Sequence, residues 1–143
     1  MERGCRAMNA VGWNTAKAAL PDPIRKQEAE ARMTEDACIL DPEQRRLVEQ
    51  SIADHCRIRG WQLHAVNCRS NHLHVVVTAD RDPEIVREQF KAWCTRKLKE
   101  RERSRGDAAT VVRQKWWAER GSDRIIGDEN SLEAAIRYVL DGQ

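Results

Sequence analysis

Two hydrophobic periods alternate along the chain, and the switches between them mark the elements. Leu47, Val48, Ile52 and Cys56 recur at helical spacing. Asp41 ahead of them can cap, and Pro42 suits the first helical position, so a helix is expected from about 42 to 58, ended by Gly60. Trp61 to Cys68 then reads as a strand, Arg69-Ser70 as a polar turn, and Asn71 to Ala79 as the second strand of a hairpin. In that second strand the period is two. Leu73, Val75, Val77 and Ala79 fall on one face, and His72, His74, Val76 and Thr78 on the other.

Asp82 and Pro83 repeat the cap-and-proline start. Val86, Phe90, Trp93, Cys94 and Leu98 follow as the apolar stripe of an amphipathic helix whose basic tail ends near Arg105. Gly106-Asp107 breaks it. Ala108 to Val112 and Ser122 to Ile126 are short strand candidates flanking Trp116-Trp117. Asp128 or Ser131 can cap a last helix with Leu132, Ala135, Ile136, Val139 and Leu140 on its apolar face, and this helix carries Tyr138.

The first 36 residues are the least informative. A weak strand candidate from Ala10 to Ala16 is interrupted by Gly12, Pro21-Asp22-Pro23 signals a turn, and Glu28 to Met33 would make a short helix that buries little. The expected organisation is therefore an N-terminal segment, 1–36, with a degraded first strand, followed by one domain over 37–143. The element order suggests an α+β sandwich in which helices cover one face of an antiparallel sheet and leave the other free.

Composition narrows the partners. The 143 residues suffice for one domain, and 34% charge with 41% hydrophobic residues still leaves apolar positions grouped into periodic runs, so a folded chain is expected. The net charge of +2 hides an asymmetry: residues 91–117 hold nine Lys/Arg against three acids, a local +6 that leaves −4 for the remainder. Such a field suits a phosphate-bearing partner, although a solvated helix face also carries charge of this kind. Five scattered cysteines without a C-x-x-C pair argue for reduced thiols rather than a disulfide framework or zinc ribbon. There is no 18-residue apolar run, and Met1 to Cys5 lacks the plan of a secretory signal, so no membrane partner is expected and a cytoplasmic location is.

His72 and His74, at i and i+2 in a strand, project to one side about 7 Å apart by the strand rise, a spacing from which two imidazoles can meet one ion. Neutral imidazoles bind most divalent metals. Two half-buried structural histidines would share this spacing, but the opposite face is all Leu, Val and Ala, so the imidazoles occupy the face not given to the core. Tyr138, the single tyrosine, could pack its ring on the sheet or act as a nucleophile toward a phosphodiester, since a nearby metal or cation eases loss of the phenol proton.

The run Val66-Asn67-Cys68-Arg69-Ser70-Asn71-His72-Leu73-His74-Val75-Val76-Val77 resembles the hairpin of the HUH single-tyrosine transposases. Trp116-Trp117-Ala118-Glu119-Arg120-Gly121, Arg124-Ile125-Ile126 and Ala135-Ile136-Arg137-Tyr138-Val139 resemble the tyrosine-bearing end of the branch associated with repetitive extragenic palindromes. The resemblance spans roughly residues 38–143. It implies a ferredoxin-like antiparallel sheet and a divalent metal, Mg2+ or Mn2+, on His72 and His74. It also implies cleavage of single-stranded DNA at or near a hairpin, with Tyr138 taking the 5′ phosphate. Relatives act as monomers or homodimers, and both remain open.

In the family a Gln or Asn four residues after the tyrosine completes the metal site; here that position is Gly142. That leaves Asp141 at i+3, on roughly the right helical face, and Gln143 at i+5, which reaches only where the helix end unwinds; of the two, Gln143 is taken as the candidate third ligand. The family's opening strand is reduced to Val11-Gly12-Trp13-Asn14-Thr15, an incomplete sheet edge. Arg96, Lys97, Lys99, Arg101, Arg103 and Lys115 are candidates to follow a DNA backbone, and Trp116 to stack an unpaired base. Adjacent Trp116 and Trp117 point to opposite sides of a strand, so at least one belongs to the core, with Trp61 and Trp93. Two rivals stand beside a nicking and rejoining enzyme: a domesticated hairpin-binding module without turnover, and a small protein with structural histidines.

Overall fold

The computed structural model describes residues 6–18, 36–106 and 112–141. Its elements are β1 (Ala7–Thr15), α1 (Pro42–Arg59), β2 (Gln62–Cys68), β3 (His72–Ala79), α2 (Pro83–Arg105), β4 (Trp117–Ile126) and α3 (Glu129–Asp141). The strands form one antiparallel sheet in the order β2-β3-β1-β4. With the chain order β-α-β-β-α-β this is the ferredoxin-like arrangement, to which α3 is added. The turn at 21–23, the short helix at 28–33 and most of the strand candidate at 108–112 lie outside the described residues. Ser122 to Ile126 is the second half of the ten-residue β4.

Local chemistry explains where the helices begin and end. At the start of α1, Asp41 Oδ1 accepts from the Gln44 amide at 2.8 Å while Gln44 Oε1 accepts from the Asp41 amide at 2.9 Å. This reciprocal box satisfies two amides that a helix start leaves without partners. Gly60, at φ 71°, closes α1 in a left-handed conformation that costs a glycine little. At α3 the cap is Asp128, whose carboxylate accepts from the Ser131 amide at 2.7 Å.

Strand β1 overturns an expectation. It pairs with β3 from Ala7↔Ala79 to Asn14↔His72 and with β4 from Met8↔Ile126 to Thr15↔Trp117, so it is an inner strand rather than an incomplete edge. Alanines and Gly12 lower its local strand preference. Main-chain bonding on both sides and the burial of Val11 and Trp13 hold it in place instead.

The hydrophobic material divides between the two faces of the sheet. Val48, Ile52 and Cys56 of α1 and Val86, Phe90, Cys94 and Leu98 of α2 pack on Val11, Trp13, Leu73, Val75 and Val77. Leu132, Ala135 and Val139 of α3 pack on Ala65, Val76 and Ile126, which belong to the other face. The picture of helices on one face thus holds for α1 and α2 and is corrected for α3. Its apolar stripe finds a partner in the Val76 side of the sheet, the side that carries His72 and His74.

The edge strand β4 is pinned to α2 by two buried cations. Opposite Asn14, where the ladder between β1 and β4 shifts register, β4 carries the three residues Ala118, Glu119 and Arg120. Lys91 Nζ donates to their three carbonyl oxygens at 2.8, 3.2 and 3.3 Å. A bulge deprives carbonyls of ladder partners, and one ammonium has three protons to give. One helical turn earlier, Arg87 forms an ion pair with Asp123. Among the described residues no helix is long and apolar enough to cross a membrane.

Candidate functional site

The strand period alone places His72 and His74 on the same face of β3, and tertiary structure adds the third ring. The His72 and His74 ring centroids lie 5.7 Å apart, and the Tyr138 ring lies 5.8 Å from that of His74, edge to face. Tyr138 reaches this position from α3, whose Ala135 and Val139 are buried on either side of it in sequence. Tyr138 as a residue is 55% exposed, so it is not a core side chain.

Two neighbours define what each imidazole can do. Asn71 Oδ1 accepts from His72 Nδ1 at 2.8 Å, so Nδ1 holds the proton and Nε2 keeps its lone pair. His74 Nδ1 is buried and has no hydrogen-bond partner. A buried polar nitrogen left unsatisfied costs free energy that a ligand can return. The imidazole lies across Gly12, its register partner on β1, in a space that a Cβ would occupy.

A polar contact ties helix α3 to the sheet beside the phenol. Asn67 Nδ2, on β2, donates to the Val139 carbonyl oxygen at 2.9 Å. Asn67 is the register partner of His74 on the side away from Gly12, so the three positions share one row of the sheet. Between α3 and the sheet opens a cleft of about 480 Å³, lined among others by Ala10, His74, Ser122, Arg124 and Tyr138.

The donor set within the described residues is the histidine pair: no group of three or more His, Cys, Asp and Glu side chains gathers there. Gln143, the expected third ligand, and Gly142 lie outside the described residues.

The expected DNA-contacting residues fall elsewhere. Arg96, Lys97, Lys99, Arg101 and Arg103 belong to α2, which covers the opposite face of the sheet from the histidines. Arg96 and Lys97 both pair with Glu100, at 3.5 and 3.7 Å, and both lie over the ring of Trp93, which is half-buried rather than a core residue. Lys99 Nζ donates to Gln114 Oε1 at 3.2 Å, and Arg101 is engaged by Glu43 and Glu102. With Thr95 and Trp117, Arg96, Lys99 and Arg103 border a groove of about 870 Å³ between α2 and β4. Lys115 is exposed just before β4.

Trp116 is corrected: it is 3% exposed and its indole donates to the Arg113 carbonyl, so it offers no open face for a base. Trp117 is also buried, against Trp13 and with its indole near Thr95 Oγ1 at 2.7 Å. Trp116 precedes β4, which begins at Trp117, so the alternation of a strand does not govern the pair and both turn inward.

Gly12, Asn67, Ser122 and Arg124 were not expected at the site. Gly12 did leave a signal, since glycine inside a strand marks close approach by another group. For the others the signal is register across strands distant in sequence, which no local pattern carries.

No protein-family model and no curated protein matches the chain. Among solved structures it is similar to a REP-associated tyrosine transposase bound to a REP hairpin, with a TM-score of 0.53 and 12% identity over 97% of this chain and 68% of that one. At that identity the likeness is one of fold.

Proposed function

We propose that the protein nicks and rejoins single-stranded DNA at a hairpin, with Tyr138 as nucleophile. The observation that supports this most is the row of His72, His74 and Tyr138 rings on the one sheet face not covered by α1 and α2. The fold shared with a hairpin-bound tyrosine transposase adds to it. Tyr138 Oη attacks phosphorus, the bond from phosphorus to the 3′ oxygen breaks, and the phenol proton leaves as the 3′ oxygen gains one from solvent. The products are a 5′-phosphotyrosine and a 3′ hydroxyl. A 3′ hydroxyl attacking that phosphotyrosine reverses the step, so strands are exchanged without another energy source, the chemistry of DNA transposition.

His72 and His74 suit a divalent cation, Mg2+ or Mn2+, because one offers Nε2 and the other has a buried nitrogen without a partner. Gln143 is proposed as the third donor. Such an ion, when bound, draws charge from the scissile phosphate. Asn71 orients His72, Gly12 makes room for His74, and Asn67 docks the helix of the nucleophile. The free thiols of Cys56, Cys68 and Cys94 suit a reducing cytoplasm.

The test is incubation of labelled hairpin-bearing single-stranded DNA with Mn2+ or Mg2+, comparing wild type with Tyr138→Phe. A covalent, protease-sensitive species present only in the wild type is expected. Hairpin binding by both proteins without an adduct would instead identify a binding module without turnover.

A further inference from the structure

The cleft beside Tyr138 contains one cation that the proposed chemistry has not used. On β4, Ser122 stands across from Gly12, which stands across from His74; Arg124 stands across from Ala10, which stands across from Val76. Partners in a ladder share a face, so Ser122 and Arg124 project to the side that carries His74 and α3. Neighbouring strands lie about 4.8 Å apart, which puts the Arg124 backbone roughly 10 Å from that of Val76, within reach of an extended arginine.

The floor between them is low. Gly12 has no side chain and Ala10 only a methyl, and Ala134 and Ala135 on α3 are equally small. The resulting space, about 480 Å³, is open at Arg124, His74 and Tyr138. Arg124 has no ion-pair or hydrogen-bond partner among the described residues. The adjacent acid, Asp123, is held by Arg87 toward α2, on the other side of the sheet. By contrast Arg96, Lys97, Arg101, Arg87 and Lys91 are all engaged by carboxylates or carbonyls.

We propose that Arg124 binds the phosphodiester that lies in this cleft, holding its non-bridging oxygens while Tyr138 Oη faces the phosphorus. A guanidinium presents paired N–H donors that match two phosphate oxygens, and a charge fixed there meets the negative charge that develops during attack. The assignment rests on the reading of Tyr138 as the nucleophile. It also identifies the recognised group as backbone phosphate rather than a base, so Arg124 contributes affinity and rate without sequence preference.

The test separates the two claims. In a Tyr138→Phe background, where no cleavage can occur, binding of fluorescent hairpin-bearing single-stranded DNA is followed by anisotropy across a salt series. Adding Arg124→Ala should weaken binding roughly tenfold and lower the slope of log affinity against log salt by about 0.7, the signature of one lost phosphate contact on a single strand. Arg46→Ala, on the exposed side of α1, is the charge control. Arg124→Lys should keep the slope while recovering only part of the affinity. With Tyr138 present, Arg124→Ala should slow adduct formation on the order of 100-fold. If Arg124→Ala changes binding no more than Arg46→Ala, the inference is overturned, whatever the adduct assay shows. If wild type forms no adduct but Arg124→Ala still weakens binding, the nucleophile reading falls and the phosphate site stands.

Discussion

His74 lies directly on Gly12: a Cβ added to Gly12 would come 2.9 Å from His74 Nε2 and closer still to Cδ2. The Leu73 carbonyl oxygen, 3.0 Å from the same point, is backbone and cannot give way. The imidazole therefore owes its position to a missing methyl group on the neighbouring strand.

Gly12→Ala should displace that ring and cost about 1–3 kcal/mol of stability through overpacking. Affinity for Mn2+ should fall 10-fold or more, because the group that seats a ligand commonly matters that much. Calorimetric titration of Mn2+ and thermal unfolding of the two proteins measure these effects. Unchanged metal binding in a folded variant would show that the ring position is not used.

Asn67→Ala removes the bond to the Val139 carbonyl oxygen, next in sequence to Tyr138. A single such bond contributes only about 0.5–1.5 kcal/mol, so the fold should survive. The C-terminal part of α3 should loosen, raising hydrogen exchange at the amides of residues 136–141. Adduct formation should slow at least tenfold, since small misplacements of a reacting group are costly. Equal exchange rates in variant and wild type would remove Asn67 from any positioning role.

His55 predicts a pH dependence of stability. It is buried between Trp61, Phe90 and Trp93, and its Nε2 donates to Gln89 Oε1 at 2.9 Å. Desolvation holds its pKa below the ordinary 6.5 despite the raising effect of Gln89, with Arg59 lowering it further. Below about pH 6.5 the unfolded chain takes up a proton that the folded one refuses, so stability present above that pH is lost on acidification. Urea unfolding at pH 7.5 and 5.5 should show the decline, and His55→Phe should reduce it. An identical decline in the variant would assign the effect to other groups.

Much of this was legible because its causes are local. Asp41 and Pro42 start α1 and Gly60 ends it, since caps act within one turn. The two faces of β3 follow from its period of two, with Leu73, Val75 and Val77 fully buried and His72 and His74 on the other side. The inner place of β1 was not legible, because half of its support is bonding to β4, more than a hundred residues later. Trp93 and Trp116 were exchanged for the same reason. A tryptophan on a helical stripe looks buried and one in a polar run looks open until the neighbouring elements are placed.

By itself the sequence determined which residue types could do chemistry and which face of β3 carries them, because side-chain direction follows the backbone period. Tertiary structure alone decided that Tyr138 meets His74, that Gly12 lies beneath the imidazole, and that Arg124 opens on the same cleft while the basic helix lies behind the sheet. These relations depend on strand order and on which face α3 covers. Both are settled by long-range pairing and burial.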